Sequence, residues 1–304
     1  MMYKATWMSA LALSAALGVA GAARADITGK VTLEGAPPEA KEIDMSGVKE
    51  CAAKHADPVY EETVVADDKG NLANVIVFIK ADDPTALGGE PPKQPAVLDQ
   101  TGCQYVPHVM SVTVGQDLLV KNSDGFLHNV HSLATVNPAF NFGQPNVDPG
   151  KKADPLKATE TFRVKCDVHP WMSAYIGVFE HPFHAVTKED GTYAIKGKLP
   201  DGDYTIVAWH EKLGETEQQV TVKDGKATSD FKVNAAAAAD PAKVPGAVEV
   251  RLASDTTGAA KDDCTVSESC CPSTNDAAKP TGAVVREQPT EQPKQGAEPQ
   301  ARAN

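Results

Sequence analysis

The sequence predicts an all-β fold, with two small sandwiches sharing residues 26 to 234, and three observations carry that prediction. Short runs rich in Val, Ile, Thr and aromatic residues recur along this stretch, each too short for an ordinary helix. Turn signals stand between the runs: Lys69-Gly70-Asn71, Glu189-Asp190-Gly191, Pro200-Asp201-Gly202 and Lys223-Asp224-Gly225. Their spacing is regular, as in β-sandwiches.

Taken in order, the chain opens on a leader. Lys4 supplies a basic start, an apolar run extends from Trp7 to Ala20, and Ala23-Arg24-Ala25 offers a small-x-small cleavage site. Residues 1–25 therefore read as a secretory signal directing the protein to the bacterial periplasm, with no membrane insertion expected of the mature chain. The strands begin with Ile27 to Leu33, where Val and Ile alternate with polar residues, and continue with Asn74 to Lys80. Ser111 to Val114 and Asp117 to Lys121 follow, separated by Gly115. Thr161 to Lys165 and Ala174 to Phe179 flank one short loop, and Thr192 to Ile195, Tyr204 to Trp209 and Gln219 to Val222 close the series. From Ala235 the composition turns to Pro, Ala, Gln, Glu, Thr and Asp. Residues 235–304 bury too little apolar surface to offset their ordering entropy, so a disordered tail is expected.

Charge narrows the choice of partner. The formal net charge is −12, and the leader takes Lys4 and Arg24 with it but no acidic residue. So acidic a mature chain repels nucleic acid and anionic lipid and suits docking on a basic protein. Six cysteines remain, at 51, 103, 166, 264, 270 and 271. In an oxidising compartment thiols pair, and Cys51 with Cys103 is the expected disulfide. A rival reading is a second metal site with His55 and His108, but Cys51-x3-His55 and Cys103-x4-His108 are not characteristic spacings.

Cys166 needs another explanation, and its neighbours supply one. Cys166-Asp167-Val168-His169-Pro170-Trp171-Met172 puts a thiolate, an imidazole and a thioether on one short loop, and Asn122 to Val130 contributes His128 upstream. One imidazole joined by that loop is the donor set of a mononuclear copper electron-transfer site. Thiolate and two imidazoles form a trigonal set acceptable to both copper oxidation states, and the thioether is a weak axial ligand that tunes the potential. Alone, Cys-x2-His is also half of a zinc site, and a buried Met is often simply core.

These residues resemble the cupredoxin family of type 1 blue copper proteins, with a loop of the plastocyanin and amicyanin kind. The stretch Gly115-Gln116-Asp117, the strand Leu118 to Lys121 and the run Asn122 to Val130 are similar to that family's approach to its first ligand. The resemblance covers residues 95–180. It implies a Greek-key sandwich, one copper ion, His128, Cys166, His169 and Met172 as ligands, and Asn129 as the brace between the ligand loops. The amicyanin-type loop has Pro where this chain has Val168. A retained Val168 N–H facing the Cys166 sulfur implies a higher potential than in a Val168→Pro variant.

A second resemblance is carried by Ile27-Thr28-Gly29-Lys30-Val31, Asn74 to Phe78, Ala185 to Tyr193 and Leu199 to Tyr204. These are similar to the carboxypeptidase regulatory-like, transthyretin-like sandwich. They lie on either side of the cupredoxin-like stretch. The expected organisation is therefore a regulatory-like sandwich in two parts, 26–94 and 181–234, with the copper-binding unit 95–180 inserted between them.

Other histidines carry less. His131 reads as a solvent-side or supporting residue, since the metal needs one imidazole from that strand, and Trp171 as packing or a lip around the exposed edge of His169. His181, His184 and His210 are a candidate second site with generic spacing. Cys264, Cys270 and Cys271 have no mechanism in their spacing. The functional expectation is a non-enzymatic, one-electron carrier for a redox partner, with the electron leaving by the His169 edge. Copper storage or delivery, and an envelope binding module with a vestigial site, are its rivals.

Overall fold

The computed structural model describes residues 25–236 apart from Lys198. The expected leader and the expected tail, with Cys264, Cys270 and Cys271, lie outside the described residues. Among the described residues, seventeen strands and one α-helical turn make the fold all-β, as expected. In order they are β1 (Ala25–Glu34), α1 (Lys49–Ala52), β2 (Ile76–Lys80), β3 (Ala96–Thr101), β4 (Gln104–Val106), β5 (Val109–Thr113) and β6 (Leu118–Asn122). Then come β7 (His128–Ser132), β8 (Asn141–Gln144), β9 (Asp148–Lys152), β10 (Glu160–Lys165) and β11 (Ser173–Phe179). The last six are β12 (His184–Val186), β13 (Thr192–Gly197), β14 (Gly202–His210), β15 (Gly214–Val222), β16 (Lys226–Thr228) and β17 (Phe231–Asn234). A 3-10 turn, Pro84–Leu87, bridges β2 to β3. No helix among the described residues is long and apolar enough to cross a membrane.

The strands sort into four sheets. β5-β11-β10-β7-β8 and β4-β3-β6-β9 are built wholly from residues 96 to 179. Both are mixed: β3 runs parallel to β6, and β5 parallel to β11. Their inner faces share one apolar core, in which Leu98, Leu118 and Val120 meet Val112, Val130, Phe162, Val164 and Ile176. The other two sheets, β13-β1-β16 with β17 also on β1, and β12-β2-β14-β15, take strands from both ends of the described chain. They enclose a second core of Ile27, Val31, Val77, Ile79, Ile195, Ile206, Val220 and Phe231.

A third apolar group, Ile76, Val109, Phe179 and Trp209, lies where the two sandwiches meet. Gly177 is there because nothing larger fits: a Cβ at that position would sit 2.8 Å from Ile76 Cδ1 and 3.0 Å from the Phe179 ring. Polar links cross the same seam. His184 of β12 bonds Ser111 Oγ (2.8 Å) and Thr113 Oγ1 (3.0 Å) of β5, and His108, just before β5, pairs with Glu211 after β14.

Candidate metal centre

The loop Cys166 to Met172 joins β10 to β11, whose last pair before it is Lys165 with Ser173. It closes on itself, the Cys166 N–H donating to the Met172 carbonyl (3.2 Å) and the Met172 N–H to that of His169 (3.0 Å). The loop thus folds Cys166, His169 and Met172 inward, where all three are buried. His128 enters from the start of β7 and is fully enclosed.

Three donor atoms converge. The Nδ1 atoms of His128 and His169 stand 2.9 Å apart, and the Cys166 Sγ is 3.7 Å from His169 Nδ1. All three residues offer donor atoms within 4.8 Å of one another. Two imidazole nitrogens aimed at each other need a proton or a cation between them. Nitrogen and sulfur separations of this size are spanned by one first-row ion with bonds of ~2.0 Å to nitrogen and ~2.3 Å to sulfur. The donor set of two imidazoles and a thiolate, with the Met172 thioether in the same core, fits copper.

Asp124, which the sequence reading passed over, fixes the imidazole. Its Oδ2 accepts from His128 Nε2 at 2.9 Å, which holds the proton there and leaves the Nδ1 lone pair facing the centre. The carboxylate also accepts the Gly102 and Cys103 N–H groups, both at 2.8 Å, and pairs with Lys54 at 3.2 Å. Gly102 and Cys103 both have positive φ, 61° and 55°, so this two-residue hairpin turn points successive amides at one anion. Burial opposes the charged carboxyl, yet the His128 bond and these amides hold it far below the usual carboxylate range.

The remaining groups are poised in the same sense. Burial opposes the Cys166 thiolate, but His128 and the surrounding amides outweigh it and lower its pKa. Burial likewise opposes a charged His128, and Asp124 and Cys166 overcome it and raise its pKa. His169 is pushed down by burial and by His128 beside it. Asn129 Oδ1 accepts from the Asp167 N–H at 2.6 Å and from Cys166 Sγ at 3.4 Å, while its own carbonyl takes the Tyr105 hydroxyl at 2.5 Å. That side chain spans from β7 to the ligand loop. The amide in hydrogen-bond geometry to the sulfur is that of His169, at 3.4 Å; the Val168 amide makes the lesser contribution to holding the thiolate.

Several expectations need correcting. The edge of His169 is not exposed. The residue is 2% accessible, flanked by Trp171 with ring centroids 5.3 Å apart and by the sulfurs of Cys51 and Cys103 within 4.8 Å of one of its ring nitrogens. Trp171 is instead tied down, its indole N–H donating to the Cys103 carbonyl at 3.0 Å. Cys51 and Cys103 form the expected disulfide, so the rival metal site with His55 and His108 does not exist. His55 bonds the Gly102 carbonyl and His108 is taken by Glu211 and the Ser173 carbonyl. His181, His184 and His210 do not converge. His181 is satisfied by the backbone of Ile79 and Phe183 and His184 by two hydroxyls, while His210 takes the Lys212 and Leu213 amides on Nδ1 and has no partner for its buried Nε2. His131 faces the surface and pairs with Asp167 at 2.9 Å.

No family model matches the chain, and no curated protein sequence matches it. Solved structures share part of it. The Cu-containing nitrite reductase NirK from Thermus scotoductus SA-01 is 20% identical over 34% of this chain, at a TM-score of 0.25, and only 27% of that enzyme is spanned. A purple cupredoxin from Nitrosopumilus maritimus is 19% identical over 27% of this chain and 98% of its own, at 0.22. A Cu(I) form of an amicyanin variant is 20% identical over 34% of this chain and 97% of its own, at 0.25.

Proposed function

We propose that this is a periplasmic, mononuclear type 1 copper protein that passes single electrons to and from a basic redox partner and carries out no substrate chemistry. The observation that carries the reading is the convergence of His128 Nδ1, His169 Nδ1 and Cys166 Sγ, all on buried residues. His128, Cys166 and His169 would hold the ion, with Met172 as the axial donor and Asn129 and Asp124 bracing them. The copper, when bound, supplies the one-electron couple. The chain's own part is to keep the thiolate ionised, fix the His128 tautomer and exclude water, so that little rearranges between oxidation states. The half-buried neighbour of His169 is Trp171, and the electron would leave past that ring.

The same proposal divides the chain into a copper unit, 95–180, held within a bracing sandwich of residues 26–94 and 181–234. The separate hydrogen-bonding of the two pairs of sheets supports it. The test of the metal reading is the visible and electron paramagnetic resonance spectrum of the copper-loaded, oxidised protein beside its Cys166→Ser variant. An intense thiolate-to-copper band, lost in the variant, is expected; a colourless protein refutes it. One observation favours a second reading, copper storage or delivery: both imidazoles lie under a disulfide-bound cover. Copper lost to a chelator within minutes, without a reversible one-electron wave, would select it.

A further inference from the structure

The disulfide is placed where a structural crosslink alone does not require it. Cys51 and Cys103 lie with His169 in one group whose donor atoms are all within 4.8 Å, and Cys103 lies in another with Asp124 and His128. The disulfide therefore lies against the two imidazoles that would hold copper. Both cysteines are fully buried.

The cover that carries Cys51 is a local unit. Residues 41 to 61 close on themselves, the Ile43 N–H donating to the Val59 carbonyl and the Glu61 N–H to that of Lys41, both at 2.8 Å. The unit is joined to the rest by the disulfide, by His55 Nε2 to the Gly102 carbonyl (2.7 Å) and by Lys54 to Asp124 (3.2 Å), and it sets Met45, Ile43, Val48 and Val59 against the inner core. Such a segment, short of regular strand pairing, opens locally at less cost than the sandwich cores.

We propose that the Cys51–Cys103 pair, when reduced, is a second, Cu(I)-selective site adjoining the first, so that the thiol state of this pair sets how much copper the chain holds. The inference rests on the copper reading above. Reduction by a dithiol breaks the S–S bond, transfers two electrons and two protons to Cys51 and Cys103, and leaves the reductant as its own disulfide. Cu(I) then displaces the thiol protons to solvent and keeps its oxidation state. The two thiolates by themselves form a soft donor pair that prefers Cu(I) and leaves the His169 ring to the first centre, whereas the closed disulfide offers no thiolate at all.

The test uses the full chain with Cys264, Cys270 and Cys271 replaced by Ser, so that the remaining thiols are those under discussion. Cu(I) is titrated anaerobically against bathocuproine disulfonate, before and after phosphine reduction verified by the mass gain of two hydrogens. One Cu(I) per chain is expected before reduction and two after it. A Cys51→Ala/Cys103→Ala variant should stay at one under both conditions. A capacity still at one in the verified reduced chain, or loss of the native near-ultraviolet circular dichroism on reduction, overturns the inference. A capacity of zero before reduction would instead overturn the copper reading itself.

Discussion

Asp124 decides which nitrogen of His128 carries its proton, and that gives a single carboxylate authority over the centre. Replacing it with Asn keeps the volume but removes the charge that the turn amides, Lys54 and His128 all address. The Asp124→Asn variant is expected to fold and to hold copper roughly 10- to 100-fold less tightly in a chelator competition, the usual cost of losing such a partner. The residue was invisible in the sequence for a physical reason. Asn122-Ser123-Asp124-Gly125 reads as turn punctuation, and only the fold brings the Gly102–Cys103 turn within reach of its side chain. The proposed ligands were legible because three of them sit on one seven-residue loop, where chain connectivity alone forces proximity. Val168→Pro tests the loop amides: with the His169 N–H carrying the sulfur bond, protein-film voltammetry should find the variant's potential lower than that of the parent, by a modest amount because Val168 is the lesser donor.

At the scale of elements, β1, β2, β10, β11 and β14 were legible because their Val- and Ile-rich inner faces enter the cores. β8, Asn-Phe-Gly-Gln, and β9, Asp-Pro-Gly-Lys-Lys, were not, since polar residues with Gly and Pro carry no strand signal. Their extended form is imposed by the neighbours they pair with, β7 and β6. The seam also has a titration of its own. Burial and the neighbouring His181 push His184 down to about 3, and burial, His108 and Lys212 push His210 down to about 4. Both fold as neutral rings, so their contribution is complete above the unfolded value of 6.5 and is lost as pH falls toward those folded values. Chemical denaturation should show stability dropping between pH 6.5 and 4.5, with His184 contributing on the order of 2 kcal/mol of the loss. A His184→Gln variant, which retains a partner for Ser111 or Thr113, should show a flatter profile over the same range.

For the molecule as a whole, the hydrogen-bonding pattern bears on what can be cut. β1 and β2 pair with strands that follow residue 180, so separate fragments 1–94 and 95–234 are expected not to fold apart, as judged by circular dichroism and proteolysis. Two stable fragments would refute the proposed insertion. The alternation of two sequence styles suggested the proposed organisation, whereas nothing in Glu42 to Tyr60 marks the cover over His169, which a disulfide between residues 52 apart in sequence ties down. The pairing of β1 with β17 has a consequence in time. Val31 to Glu34 wait for Phe231 to Asn234, some two hundred residues later, before their sheet can form. The strands from β3 to β11 wait for nothing beyond Phe179. In a chain that emerges from its N-terminus, the inner sandwich is thus free to mature first, and the strand made earliest is among the last to find its place.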